Sequence, residues 1–274
     1  MVAGIVNSPA TTPSTRTFTL MLVAQISDTH ILSPASDLPA AQLRADCLER
    51  CVAAINRESP DVVILTGDTV QHGRTDEYGW LRELLAPLQP PLYLVPGNRD
   101  DNEELRRAFS DAPFLPATGP FLHYAVEDYD TRLVGIDSTC PGERKGRFCE
   151  QRQAWLEATL AAQPERPTLL FIHHPPFDVG DHYVAGYRRP EEAAALRSIV
   201  ERHEQVTGLL CGHVHWPVSQ DWAGTQARIM PSVAIDVRKG VDEAEAAGRP
   251  IFMLHRLSVP VGLSSQPRCA GAAA

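Results

Sequence analysis

Asp61-Val62-Val63-Ile64-Leu65-Thr66-Gly67-Asp68 is the stretch from which the rest of the chain can be read. Four consecutive aliphatic residues, mostly β-branched, run straight into a glycine turn, the pattern of a short strand buried on both faces. The turn ends on a carboxylate, so Asp68 is delivered to the carboxyl end of a strand, where ligands gather in open α/β sheets. A turn aspartate after one strand is commonplace and usually does no more than cap its own backbone. Repetition changes the weight of the observation. Four other hydrophobic runs end in residues of the same kind: Asp28-Thr29-His30, Gly97-Asn98-Arg99-Asp100, His173-His174 and Gly212-His213-Val214-His215.

Outward from that stretch the pattern alternates. Leu20, Met21, Leu22, Val23 and Ile26 form a first buried strand that ends on Ser27-Asp28-Thr29-His30. Asp28 and His30 are two apart, so an extended backbone would point both to one side, where a carboxylate and an imidazole can grip one metal ion. A helix from about Ala40 to Glu58 carries Leu43, Cys47, Cys51, Ala54 and Ile55 on its apolar face. After Asp68 a second helix begins near Thr75, and Leu92 to Val95 is a further short strand running into Gly97-Asn98-Arg99-Asp100. Strand, helix, strand, helix implies a parallel sheet. Asp100 and Asp101 are placed to cap the helix that follows. Phe121 to Val126 and Thr131 to Ile136 read as a hairpin, and Asp137 behind it has a structural role or supports a ligand.

Further on, a helix from about Glu150 to Ala162 precedes the strand Thr168 to Ile172 and the proline-stopped His173-His174-Pro175-Pro176. A long loop from Phe177 to Arg189 holds His182, Tyr187, Arg188 and Arg189, and loops of this length inside compact domains tend to be functional. A helix from Pro190 to His203 leads to Val206 to Cys211 and Gly212-His213-Val214-His215. Val218 to Trp222, Ala227 to Val233 and Ile251 to Leu257 alternate like strands of a second sheet. The expected organisation is a disordered tail over residues 1–18, rich in Ser, Thr, Pro and Ala, one domain over 19–257, and a small, polar, flexible tail over 258–274.

A formal net charge of -9, from 25 basic and 34 acidic residues, argues against coating a nucleic-acid polymer. It leaves room for a phosphate-bearing substrate, because bound cations can reverse the local field. No run approaches the length of a membrane span, and the N-terminal stretch has neither the basic region nor the apolar core of a signal peptide. Six cysteines in 274 residues are too few for a disulfide scaffold. Cys47 and Cys51 read as core, Cys211 sits in a strand, and nothing requires Cys140 and Cys149 to pair, so a reducing, cytoplasmic setting is expected.

Singly, the histidines have ordinary explanations; His123, His203 and His255 read as surface or packing residues. As an ordered set, Asp-x-His, Gly-Asp, Gly-Asn-x-Asp, His and Gly-His-x-His over Ile26 to His215 closely resembles the calcineurin-like metallophosphoesterase superfamily. Ser27-Asp28-Thr29-His30, Pro96-Gly97-Asn98 and His173-His174-Pro175-Pro176 resemble, more narrowly, its bacterial class III cyclic-nucleotide and glycerophosphodiester phosphodiesterase branch. The resemblance implies an α/β sandwich of two mixed β-sheets flanked by α-helices, with a two-metal site at the strand ends. It implies that Asp28, His30 and His215 hold one metal, that Asn98, His173 and His213 hold the other, and that Asp68 bridges them. His173 is preferred to His174 because it directly follows the strand. Nitrogen and oxygen ligands without thiolate suit Fe, Mn, Zn or Co. Two such ions bind both oxygens of an in-line displacement and lower the pKa of a bridging water, so that hydroxide attacks phosphorus. Relatives also suggest dimers or larger assemblies.

One position departs from the family pattern. The usual histidine between the Asn and Asp of the third motif, credited with contacting the phosphate and helping the leaving group depart, is Arg99 here. A guanidinium forks onto phosphate oxygens but does not donate a proton at neutral pH. The expectation is that Asn98 and Arg99 bind the phosphoryl group, with His72 beside them, while His72, His174 or water protonates the leaving alkoxide. The expected activity is hydrolysis of a small phosphodiester. A phosphomonoesterase on the same metals and a non-catalytic metal-binding scaffold are the alternatives, and only Arg99 favours the scaffold.

Overall fold

Two β-sheets face one another between two layers of helices in the computed structural model, which describes residues 19–180, 186–259 and 262–271. The expected tail over residues 1–18 and His182 of the long loop lie outside the described residues. The first sheet has the order β11-β10-β1-β2-β3. Its strands are β1 (Thr19–Ile26), β2 (Val62–Thr66), β3 (Leu92–Val95), β10 (Ile251–Val259) and β11 (Gly262–Cys269). β1, β2 and β3 are parallel, joined by α1 (Pro39–Glu58) and α2 (Thr75–Leu85), whereas β10 runs antiparallel to β1. The second sheet has the order β4-β5-β6-β7-β9-β8. It comprises β4 (Tyr124–Val126), β5 (Arg132–Ile136), β6 (Thr168–Ile172), β7 (Val206–Cys211), β8 (Val218–Trp222) and β9 (Thr225–Ile229). Both sheets are mixed, as the resemblance to the metallophosphoesterases implied.

The period of two along each strand explains the layers. Leu133, Leu169, Phe171 and Leu210 enter the cluster between the sheets, which also holds the apolar faces of α1 and α2. Their neighbours Val134, Leu170, Ile172 and Leu209 turn the other way, onto Leu156 and Leu160 of α4 (Glu150–Ala161) and Leu196 and Ile199 of α5 (Pro190–Glu201). Strands buried on both faces read as unbroken aliphatic runs, and each fully buried Leu, Ile or Val contributes about 1.5–3 kcal/mol.

Two expectations about the C-terminal part are corrected. Ile251–Val259 joins the first sheet, beside β1, and not the sheet of β8 and β9. Within the tail expected to fray beyond Ser258, Gly262–Cys269 form the edge strand β11, paired antiparallel with β10 from Ser258↔Gly262 to Ile251↔Cys269. Ser264, Ser265 and Gln266 look like a loop composition, yet an edge strand need bury only one face, and Leu263 and the backbone ladder help to seat it.

No helix among the described residues is long and apolar enough to cross a membrane. The short helix α3 (Asn102–Ala108) is capped by Asp101, whose side chain accepts from the backbone N–H of Glu103 and Glu104. Asp100 does not join that cap. Its carboxylate instead accepts from the N–H groups of Gly97, Thr69 and Val70 and from the hydroxyls of Thr69 and Tyr78, tying the turn after β3 to the turn after β2.

Candidate metal centre

The strand ends meet at one edge of the sandwich. Asp28 and His30 follow β1, Asp68 follows β2, Asn98 follows β3, His173 follows β6, and His213 and His215 follow β7. The ligand-type atoms of Asp28, His30, Asp68 and His215 all lie within 4.8 Å of one another. Beside them His173 Nε2 is 3.2 Å from His213 Nδ1, 3.3 Å from Asn98 Oδ1 and 3.5 Å from Asp68 Oδ1. The other oxygen of Asp68, Oδ2, faces His30 Nε2 at 3.8 Å. The carboxylate therefore looks into both halves of the cluster.

The backbone reaches this convergence by a route that strand periodicity does not foresee. Asp28, His30, Asp68, His213 and His215 all have positive φ, between 46° and 71°. The two-apart pairs share a side because the chain turns left-handed at each of them, not because it stays extended. Non-glycine residues tolerate this conformation at a cost of order 1–3 kcal/mol each, and such strain concentrates at functional sites. Glycines make room: a Cβ at Gly97 would lie 2.1 Å from the Asp68 amide nitrogen, and one at Gly212 would lie 2.1 Å from Ser27 Oγ and 2.7 Å from Asp28 Oδ2.

Hydrogen bonds fix the ring tautomers. A carbonyl oxygen only accepts, so His173 Nδ1–H donates to Thr66 O at 2.8 Å and His215 Nδ1–H donates to Val237 O at 3.0 Å. Each ring then presents the Nε2 lone pair inward. His215 Nε2 meets Asp28 Oδ1 at 3.1 Å and His30 Nε2 at 3.1 Å; His173 Nε2 meets the acceptors Asp68 and Asn98. Lone pairs aimed at lone pairs need positive charge between them. Burial pulls His30 down to about 3 and holds His213 well below the ordinary imidazole value, so protons do not supply that charge throughout. The donor set, imidazole nitrogen with carboxylate and amide oxygen, fits transition-metal cations.

The carboxylates differ in the same field. Burial alone would raise Asp28, but His215, His173 and His30 outweigh it and hold its carboxyl below the usual range. Burial pushes Asp68 up to about 7, only partly offset by His173. Burial alone would lower His215, but Asp28, the Val237 carbonyl and Asp68 together outweigh it and raise the ring above its ordinary value.

The remaining expected residues sit at the margin. His174 packs against His173 and His213, with ring centroids 4.8 and 4.5 Å away. Its own nitrogens are taken: Nε2–H donates to Arg144 O at 3.1 Å, and Nδ1 accepts from the Ser138 hydroxyl at 2.8 Å. That fixed neutral tautomer, with a pKa lowered mainly by burial, does not suit the proton donor expected from the sequence. His72 keeps a half-exposed ring whose Nδ1 meets the buried Glu77 carboxylate at 2.8 Å. Arg99 donates its backbone N–H to Asp68 Oδ1 at 2.7 Å; among the described residues its half-buried guanidinium has no hydrogen bond or ion pair.

Three residues that the sequence pattern did not single out support the cluster. Ser232 Oγ donates to Asp28 O, and Arg44 of α1 reaches both Asp236 and His30 O. A charged residue on a helix ordinarily reads as solvated, so Arg44 gave no signal.

Comparison with known proteins agrees with this geometry. The chain is 38% identical over 202 residues to the glycerophosphodiester phosphodiesterase of Enterobacter lignolyticus, covering 71% of each protein. It is 34% identical over 254 residues to a probable glycerophosphodiester phosphodiesterase of Arcobacter nitrofigilis, covering 89% of this chain and 92% of that one. It is 29% identical over 221 residues to the 3',5'-cyclic adenosine monophosphate phosphodiesterase of Escherichia coli K12, covering 79% of this chain and 77% of that one. Among solved structures, a dimetal phosphatase from Danio rerio superposes with a TM-score of 0.66 at 14% identity, covering 92% of this chain and 99% of that one, a likeness of fold. The family model described as calcineurin-like phosphoesterase matches residues 21–217, every candidate ligand included, and the chain belongs to that family.

Proposed function

We propose that the protein is a binuclear-metal-dependent phosphodiesterase that hydrolyses small diesters, glycerophosphodiesters or cyclic nucleotides. The observation that carries this reading is Asp68, whose two oxygens face two separate nests of imidazole lone pairs. In this reading Asp28, His30 and His215 hold one ion, Asn98, His173 and His213 hold the second, and Asp68 is shared. Fe, Mn, Zn and Co all suit the ligands. When bound, two such ions supply Lewis-acid charge on the phosphoryl oxygens and a water acidic enough to react near neutral pH.

The chain's own residues do the rest. Arg99, next to Asn98 and with a guanidinium that makes no hydrogen bond or ion pair among the described residues, orients and clamps the phosphoryl group. His72, backed by Glu77, or water returns a proton to the departing alkoxide. The names of the relatives support diesters over monoesters. Six unpaired cysteines fit a reducing, cytoplasmic setting, and self-association into dimers or larger assemblies belongs to the same reading.

The test is hydrolysis of bis(p-nitrophenyl) phosphate against p-nitrophenyl phosphate by protein reconstituted with Mn(II) or with Fe and Zn, beside Asp68→Ala. Faster turnover of the diester and an inactive variant are expected. Preference for the monoester would make the protein a phosphomonoesterase, and bound metal without turnover of either substrate would make it a binding scaffold.

A further inference from the structure

The two halves of the centre are braced by different parts of the molecule. His173 takes its orientation from Thr66 O, the last carbonyl of β2, which is locked in a sheet. His215 takes its orientation from Val237 O, which belongs to the irregular segment 230–239 between β9 and the short helix α6 (Glu243–Ala246). That segment wraps the Asp28–His30–His215 half. Val233 N–H donates to Ser27 O, Ser232 Oγ to Asp28 O, and Lys239 N–H to His215 O.

Arg44 joins this segment to the turn that carries His30. It is buried, and it comes from α1, a helix that contributes no candidate ligand. Nε and Nη2 fork onto the Asp236 carboxylate at 2.7–3.1 Å, while Nη1 donates to His30 O at 3.1 Å and to Gln71 Oε1 at 2.8 Å. The His30 carbonyl needs a partner of this kind. Its residue is left-handed at φ 48°, and its ring Nδ1 is buried without a hydrogen bond among the described residues, so no contact at that atom orients the imidazole. Position must come from the backbone, and Arg44 Nη1 holds that backbone at the His30 carbonyl while the fork ties Arg44 itself to Asp236. Among the described residues, neither Asn98 nor His173 is hydrogen-bonded to Arg44 or Asp236.

We infer that Arg44, through Asp236, is a positioning residue for one half of the centre: it holds His30 and His215 in metal-binding geometry, and the Asn98–His173–His213 half does not depend on it. The inference rests on the binuclear reading above. Groups that orient metal ligands without touching the metal are worth about 10–100-fold in metal affinity. Lysine cannot reproduce the fork, whereas methionine keeps the apolar stem and removes only the charged head.

Calorimetric titration of the metal-free protein with Mn(II) tests this. Wild type should bind two equivalents. Arg44→Met should weaken one of them by about 10–100-fold and leave the other at its wild-type affinity, and Arg44→Lys should not rescue the loss. Asp236→Asn, which keeps the shape of the side chain, should reproduce the selective loss and serves if Arg44→Met does not fold. Adding His215→Ala to Arg44→Met should leave the surviving equivalent intact, whereas adding His173→Ala should abolish it. Equal weakening of both equivalents, or no weakening, would overturn the inference. Fewer than two equivalents in wild type would overturn the binuclear reading on which it rests.

Discussion

Arg99 is the position at which this chain departs from the pattern of its family. Arg99 is anchored through its backbone N–H to Asp68, which leaves its guanidinium available to an anion. A charge-assisted hydrogen bond of about 1.5–3 kcal/mol corresponds to roughly 10–100-fold in rate. Arg99→Ala should therefore lower kcat/KM on every diester by that factor with metal content unchanged, measured by steady-state kinetics beside metal analysis. Unaltered rates would mean that the guanidinium points away from the substrate. At this scale the convergence of the candidate ligands was legible because each follows an aliphatic run that fixes where it will be delivered. The choice between His173 and His174 was not legible in the residues themselves. Thr66 O turns one lone pair toward Asp68 and Ser138 Oγ occupies the other, and neither partner is near them in sequence. Arg44 and Asp236 were invisible for the same reason: a half-buried ion pair between positions 192 residues apart is a fact of tertiary structure.

Elements were read well where they are buried on both faces and poorly where they are not. β2, β3, β6 and β7 are short aliphatic runs bounded by turns, and their existence follows from hydrophobicity alone. β11 is half polar, and a strand with one exposed face and a proline at Pro267 resembles a loop. What seats β11 includes a buried polar chain that no hydrophobic pattern reveals. Ser265 donates to His255 Nδ1, His255 Nε2–H donates to Gln25 Oε1, and the Gln25 amide donates to Thr66 Oγ1 and Cys211 O, so β11, β10, β1, β2 and β7 are tied together. Burial, aided by Arg228, pulls His255 from the ordinary 6.5 to about 3. The unfolded chain thus binds the extra proton first. The stability that neutral His255 contributes is complete above pH 6.5 and is lost as pH falls toward 3, at about 1.4 kcal/mol per pH unit. Urea unfolding of metal-free protein at several pH values should show this slope, and His255→Gln should remove that share of it; an unchanged slope would place the acid sensitivity elsewhere.

For the molecule as a whole, the centre lies between two sheets. Asp28, His30, Asp68 and Asn98 come from the first, and His173, His213 and His215 from the second. Ions bound there would cross-link the sandwich at its open edge. Ions that bind only the folded state at about 100 times their dissociation constant add about 2.7 kcal/mol. Treatment with EDTA should therefore lower the Tm, and Mn(II) should restore it in wild type but not in Asp68→Ala.

The same architecture sets an order of events during synthesis. β1 is flanked on one side by β2, the next strand to be made, and on the other by β10, the last but one among the described residues, as Val23 pairs with both Val62 and His255. The ribosome releases the parallel half of the first sheet long before the strand that closes its other side. Until β10 and β11 emerge, β1 presents an unpaired edge, the kind of surface that invites wrong partners. The C-terminal hairpin is thus the closing clasp of the nascent fold, and a chain stalled ahead of it would display a nearly finished catalytic edge beside an open, adhesive one.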